Sequence, residues 1–322
     1  MRYKANRVGT VCKLLMSWGV LMFSTALWGQ NYPLKPIRFI IGFPAGGSAD
    51  AAARPLVAHM GRQLGIGFVI ENHGGAAGSV AAQIVARAPA DGYTLLWSSP
   101  GALTINRILE KNLPYNPDTA FIPVGRALSF CNALIVGLDT EFNSLTQLIA
   151  AAKARPGQIS YATQGVGSAG HLSAKMLEKM SQMEMSHVPY KGGTEILTAV
   201  VGGQLPAAFL SSTSAASLKQ RIRILAVTSL HRTSLLPEVA SMSELGIKGY
   251  DASFWYGILV PAHTSEKIVS TLNQALKQAI ADPEIERLEK NIGLSPDASS
   301  PAEFVQIIKN DFIRWKKVID PA

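Results

Sequence analysis

Two glycine-rich turns hold the residues best suited to chemistry in this 322-residue chain. Pro44-Ala45-Gly46-Gly47-Ser48 follows the apolar, β-branched run Phe39–Phe43, and Thr163-Gln164-Gly165-Val166-Gly167-Ser168-Ala169-Gly170 follows the strand-like Ile159–Thr163. Each turn opens a helical pattern. There, unpaired backbone N–H groups and the positive end of the helix dipole favour an anion. The glycines let a ligand approach the backbone closely, Ser48 and Ser168 add hydroxyls, and Asp50 is placed to cap the first helix. Neither turn contains Lys or Arg. Charge-assisted hydrogen bonds contribute roughly 1.5–3 kcal/mol each, so four to six shared between the turns give on the order of 6–18 kcal/mol gross. Micromolar binding needs about 8 kcal/mol net. Two neutral, donor-rich loops therefore suffice for a carboxylate.

Other chemistries fit less well. The second turn spells G-x-G-x-x-G, the dinucleotide fingerprint, but the following strand ends in Val188-Pro189-Tyr190-Lys191, without the acid that would hold a ribose. Glu184 lies before that strand, at the wrong end. No cofactor is expected. Ser168 and His171 could face each other one turn apart as a secreted hydrolase, yet a triad needs a third group to hold the base, and none is identifiable. The six histidines show no ligand spacing for zinc, so no metal is expected.

The elements that must position these turns alternate along the chain. Ala49 to Leu64 reads as a helix, with Ala53, Leu56, Val57, Met60 and Leu64 at helical spacing. Phe68–Glu71 and Thr94–Trp97 read as strands around the helix Val80–Ala88. Strand and helix go on alternating through Ala133–Gly137, Leu145–Ala154, Ile159–Thr163, Leu172–Met180, His187–Tyr190 and Thr194–Val201. Ile222–Thr228 and Phe254–Val260 are later strands, and Glu266–Ala281, Glu284–Asn291 and Ala302–Val318 are closing helices. Such alternation predicts α/β architecture with parallel sheets covered by helices on both faces. About 290 residues exceed one sheet with connections this short, which predicts two lobes. No Pro- or Gly-rich boundary appears, so the chain is expected to cross between lobes within strands. The apolar stripe Phe304, Ile307, Ile308, Phe312 and Trp315 is read as core packing.

Composition limits the remaining classes. Hydrophobic residues make up 48% and charged residues 16%, which excludes a disordered chain. The net charge of +8 is unevenly placed: Arg2, Lys4, Arg7 and Lys13 precede the apolar run Leu14–Leu27, and residues 1–29 contain no acid. This pattern predicts a secretory signal peptide over 1–29, cleaved near residues 26–30. Without it the charge falls to +4, and a nucleic-acid partner loses its support. Cys12 lies inside the expected leader, which leaves Cys131 without an intrachain disulfide partner. The expected product is soluble, extracytoplasmic and monomeric.

Several ordered motifs then become recognisable. They are Tyr32–Arg38, Phe43-Pro-Ala-Gly-Gly-Ser-Ala-Asp50, Glu71-Asn72, Ala90–Leu96, Leu113–Pro117, Lys153–Gly157, His187–Gly192, Leu225–Thr228 and Trp255–Ala262. Together the series resembles the Bug family, the extracytoplasmic solute receptors of tripartite tricarboxylate transporters, across essentially the whole mature chain. The resemblance implies a periplasmic binding protein of type II-like fold, with two doubly wound lobes, a hinge and a ligand cleft between them. Lobe 1 would comprise 30–129 plus 254–322, and lobe 2 would comprise 130–253. The implied function is capture of a small carboxylate metabolite for the membrane permease subunits of such a transporter, without catalysis. A periplasmic sensor feeding a signalling system is the alternative, and a secreted serine hydrolase a further one.

Carried over residue by residue, the resemblance places Phe43, Pro44, Ala45, Gly46, Gly47, Ser48 and Asp50 in the first clamp loop. Thr163, Gly165, Gly167 and Ser168 fall in its counterpart. Ser98, Ser99 and Tyr190 are expected as further wall residues. Leu210 stands where the family often has Asp, and the segment after it is about two residues short. That Asp can meet a ligand's amino group, so Leu210 favours a less polar acid, unless its side chain points into the core.

Overall fold

The structure, a computed structural model, describes residues 32–110, 112–190 and 192–319. The expected leader and its cleavage point lie outside the described residues. All strands and helices belong to the compact unit Lys35–Ala322; of the unit Met1–Leu34 only residues 32–34 are described.

The first turn hangs from β1 (Ile37–Ile41). Its four apolar side chains are fully buried, as a continuous apolar run requires when both sheet faces are covered. β2 (Phe68–Asn72) and β3 (Thr94–Ser98) flank β1 in parallel. Next to β3 runs β10 (Phe254–Pro261), antiparallel to it, and then β4 (Phe121–Phe130), antiparallel to β10. The two-residue β11 (Ser295–Pro296) completes the order β11-β4-β10-β3-β1-β2. Helices α1 (Ser48–Leu64), α2 (Ser79–Ala86), α3 (Asn106–Leu109), α8 (Glu266–Ile280), α9 (Pro283–Asn291) and α10 (Pro301–Ile319) accompany this sheet. α1 buries Ala49, Ala52, Ala53, Leu56, Val57 and Met60, and stops at Gly65 in the left-handed conformation. The Trp97 indole donates to the Ala49 carbonyl at 3.1 Å, fixing the start of α1 against β3.

The second sheet has the order β7-β6-β8-β5-β9. It consists of β5 (Asn132–Gly137), β6 (Ser160–Thr163), β7 (Ser186–Pro189), β8 (Ala207–Ser211) and β9 (Ile222–Val227). β6 is parallel to β7 and β8, whereas β5 is antiparallel to β8 and β9. Helices α4 (Leu145–Ala154), α5 (Ala169–Ser181), α6 (Gly193–Val201) and α7 (Ser212–Ser217) connect its strands.

The sheets are therefore mixed, which corrects the expectation of parallel sheets. Three strands, β4, β8 and the two-residue β11, are not among those expected from the sequence. β4 contains Pro123 and Gly125, residues that weaken a strand signal, and its register against β10 shifts twice. Cys131 alone separates β4 in one sheet from β5 in the other, and the chain returns through 228–253 between β9 and β10. The expected stripe of α10 is core: Phe304 and Trp315 are fully buried, with Ile307 and Ile308 packed beside Phe304.

Candidate functional site

The first turn is built around Asp50. Its carboxylate accepts from the Gly46 backbone N–H at 2.9 Å, from both arms of the Arg54 guanidinium at 2.8 and 2.9 Å, and from the Asn72 amide at 2.9 Å. The Arg54 bonds above all hold its pKa down to about 2, with the Gly46 and Asn72 donors adding to them against burial. Asn72 also donates to the Phe43 carbonyl at 3.0 Å, tying β2 to the turn. Gly46 has φ +77°, a left-handed conformation suited to glycine. Asp50 is thus committed to holding the loop from behind.

A neighbouring loop carries strain that the sequence did not announce. Ala76 and Ala77 are consecutive left-handed alanines, with φ 44° and 51°. The Asn106 amide donates to the Ala76 carbonyl at 2.7 Å and to the Ser79 hydroxyl at 2.8 Å. A Cβ on Gly101 would lie 2.5 Å from the Ala77 carbonyl oxygen, so glycine there permits the two loops to touch.

In the second turn, the Ser168 hydroxyl caps α5, accepting from the His171 N–H at 3.2 Å and donating to the Gly165 carbonyl at 2.7 Å. The Gly167 N–H donates to His171 Nδ1 at 3.2 Å. Burial first, then His187 and Lys175, push the His171 pKa down to about 4, so the ring is a neutral acceptor at pH 7. The His187 ring lies tilted against it with centroids 4.5 Å apart, and its Nε2 lies 2.6 Å from the Thr163 hydroxyl, in hydrogen-bond contact. Ser168 and His171 both hydrogen-bond within the loop, and His171 Nδ1 accepts from the Gly167 N–H and not from the Ser168 hydroxyl.

Both turns face one cleft of about 980 Å³. Of the expected residues, Phe43, Gly46, Ser48, Ser99, Gly167 and Ser168 line it. Pro44, Ala45, Gly47 and Gly165 belong to the same turns but are not among its walls. Asp50, Ser98 and Thr163 are buried beneath the turns, and the Ser98 hydroxyl is turned onto the Ser99 carbonyl. Leu210 is buried in the core cluster with Ala133, Ile135 and Ile196, and Tyr190 packs against that cluster. Both faces of β8 are covered, so alternation along the strand buries Phe209 on one side and Leu210 on the other. Leu210 therefore says nothing about the ligand.

Sequence reasoning missed most of the wall, including two segments of the second sheet's side. Gly193 and Thr194 open α6, and Ser211 to Ser214 cap and open α7; all six line the cleft. The run Ser211-Ser-Thr-Ser214 was the available signal. The floor is aromatic: Phe130, Phe254 and Tyr256 stack, with centroids 4.8 Å apart for Phe130–Tyr256 and 5.6 Å for Phe130–Phe254. The Tyr256 hydroxyl is hydrogen-bonded to Ser48, while burial pushes its pKa up. Among the described residues lining the cleft there is no Asp, Glu, Lys or Arg. The N-termini of α1, α5 and α6 open onto it instead, so the field there is that of converging helix dipoles. Among the described residues no cluster of three or more His, Cys, Asp or Glu could hold a metal.

Comparison with known proteins places this geometry. Residues 52–322 match the family described as the tripartite tricarboxylate transporter family receptor. Protein BugT of Bordetella pertussis is 32% identical over 294 residues, covering 90% of each chain. A solved R. palustris protein with adipate has 31% identity and a TM-score of 0.79, covering 89% of this chain and 97% of its own. MatC from Rhodopseudomonas palustris, solved with bound malate, has 26% identity and a TM-score of 0.76, covering 90% and 100%.

Proposed function

The chain belongs to the tripartite tricarboxylate transporter receptor family, and from that premise we propose that it captures a small organic acid in its cleft and delivers it to a permease. Family members are periplasmic solute receptors that work with membrane subunits, and the fold here is theirs. Among the described residues no helix is long and apolar enough to cross a membrane. The observation that carries the reading is the wall itself: two glycine turns and three helix N-termini converge on one uncharged cleft. Such a site favours an anion, because the N–H dipoles are already oriented and need no counter-charge. Adipate and malate in the two solved relatives support a carboxylate as that anion.

On this reading the first-turn N–H groups of α1 and α5 contact the carboxylate; Gly46, Gly167 and Ser168, whose own donors are bonded within the turns, shape the loops that present them. Ser48, Ser99 and Phe43 flank the carboxylate, and the aromatic floor meets the body of the acid. The lobes divide at Cys131 and within 228–253, where the chain changes sheets, and the protein is exported by its basic, apolar leader. Its role is binding without catalysis, since Ser168 and His171 are spent on the loop. A thermal-shift screen of di- and tricarboxylates, aromatic acids, amino acids and their amides tests it. Stabilisation by an acid and not by its amide is expected; stabilisation by neutral compounds alone refutes the carboxylate.

A further inference from the structure

Thr213 is the second residue of α7, directly after β8, on the wall formed by the second sheet. Its hydroxyl donates to the Ile292 carbonyl at 2.5 Å. Ile292 and Gly293 lie between α9 and β11, and β11 pairs with β4 in the first sheet. This hydrogen bond therefore joins the wall of one sheet to the wall of the other, across residues that all line the cleft. Gly293 makes the approach possible: a Cβ there would fall 2.0 Å from Thr213 Oγ1, 3.1 Å from Thr213 Cβ and 2.9 Å from Leu235 Cδ2. Its φ of +76° also suits glycine. On either side of Thr213, Ser212 and Ser214 face the same cleft.

We propose that Thr213 and Gly293 form the latch that holds the cleft shut, acting as positioning residues for solute capture. The proposal rests on the receptor reading above for its purpose, but not on the identity of the solute. A latch of one hydrogen bond suits a receptor that must also release its cargo. It tilts the open–closed equilibrium without locking it, because a ligand shifts that equilibrium only by its differential affinity for the two states. Thr213→Val keeps the shape and removes the donor, and Thr213→Ser keeps the donor. Gly293→Ala wedges the walls apart through a side chain that touches nothing else in the cleft chemistry.

The test is the distance across the cleft, read by spin labels at Gln220→Cys and Arg287→Cys, both exposed positions, one associated with each sheet. It is recorded for the wild type and the three variants, each alone and with 10 mM adipate as probe, about the concentration that saturates a site of millimolar affinity. The latch requires a short-distance population in the wild type and Thr213→Ser that falls at least about threefold in Thr213→Val and more in Gly293→Ala, as loss of one net hydrogen bond implies. An equal short-distance fraction in all four proteins, or none in the wild type under both conditions, overturns it. A variant series that behaves as required while adipate and other carboxylates shift nothing would keep the latch and refute the carboxylate reading. The unfolding midpoint of unliganded Gly293→Ala separates backbone strain at φ +76°, which lowers it, from the wedge, which acts only on the closed distance.

Discussion

The ring of His171 accepts a hydrogen bond from the backbone N–H of Gly167, so a half-buried histidine in the first turn of α5 sets the conformation of a loop that lines the cleft. Only the neutral ring can do this. The pKa of His171 is held at about 4, below its ordinary value of 6.5, so between these values the unfolded chain binds a proton that the folded chain refuses. Stability from this group is complete above pH 6.5 and is lost as pH falls towards 4. Allowing for partial exposure, the loss amounts to on the order of 2 kcal/mol. Urea unfolding of the wild type should weaken over that window, while His171→Asn should show a flatter profile. Parallel profiles would remove His171 as the cause.

Ser168→Ala should do two things at once. Binding of an acid should weaken about tenfold or more, and loss of the α5 cap should destabilise the empty protein by about 1 kcal/mol. From sequence alone, only the first effect is expected, because the cap is visible only once His171 N and Gly165 O are seen on the hydroxyl. Calorimetric titration and thermal unfolding of the same preparation check both.

Asp50→Asn should loosen the first turn without touching the ligand. Its charge organises Arg54, Asn72 and the Gly46 N–H, and its loss should cost about 1–3 kcal/mol, reduced by the exposure of Arg54. Since the folded pKa is about 2 against an ordinary 3.8, the wild-type advantage should persist at pH 5 and vanish only as pH falls through that interval. Denaturant midpoints at pH 5 and pH 2.5 test this, with no difference at pH 5 as the contrary result.

Tyr256→Phe isolates the contribution of one hydroxyl. The stacking with Trp97 and Phe130 survives, with centroids at 5.6 and 4.8 Å in the wild type, so folding should be nearly unchanged. Ser48 would lose its partner, and affinity for the acid should drop severalfold. Unaltered affinity would place Ser48 outside the binding contacts.

Much of the architecture was legible because it is local. The helix α1 announced itself through Leu56, Val57 and Met60, and β1 through the apolar run Phe39-Ile40-Ile41. β4 and β8 were not, because pairing direction and sheet membership are set by distant partners: β4 by β10, 124 residues after its last residue, and β8 by β5 and β6. The same limit governs the site. Phe43, Gly46, Ser48, Gly167 and Ser168 could be picked from glycine turns ahead of helices, whereas Asp50 and Thr163 carry the right chemistry and are turned away from the cleft. Thr194, Ser211 and Tyr256 reach the cleft only because three separate chain segments converge there.

Carboxylate capture is tested most directly by calorimetric titration of the purified protein with adipate, with malate and with the diamide of each. Heat with at least one acid at micromolar to sub-millimolar affinity, and none with its amide, is the expected result for a cleft whose donors are backbone N–H groups and hydroxyls. Equal affinity for an acid and its amide would show that the converging helix ends do not select charge, and would contradict the reading.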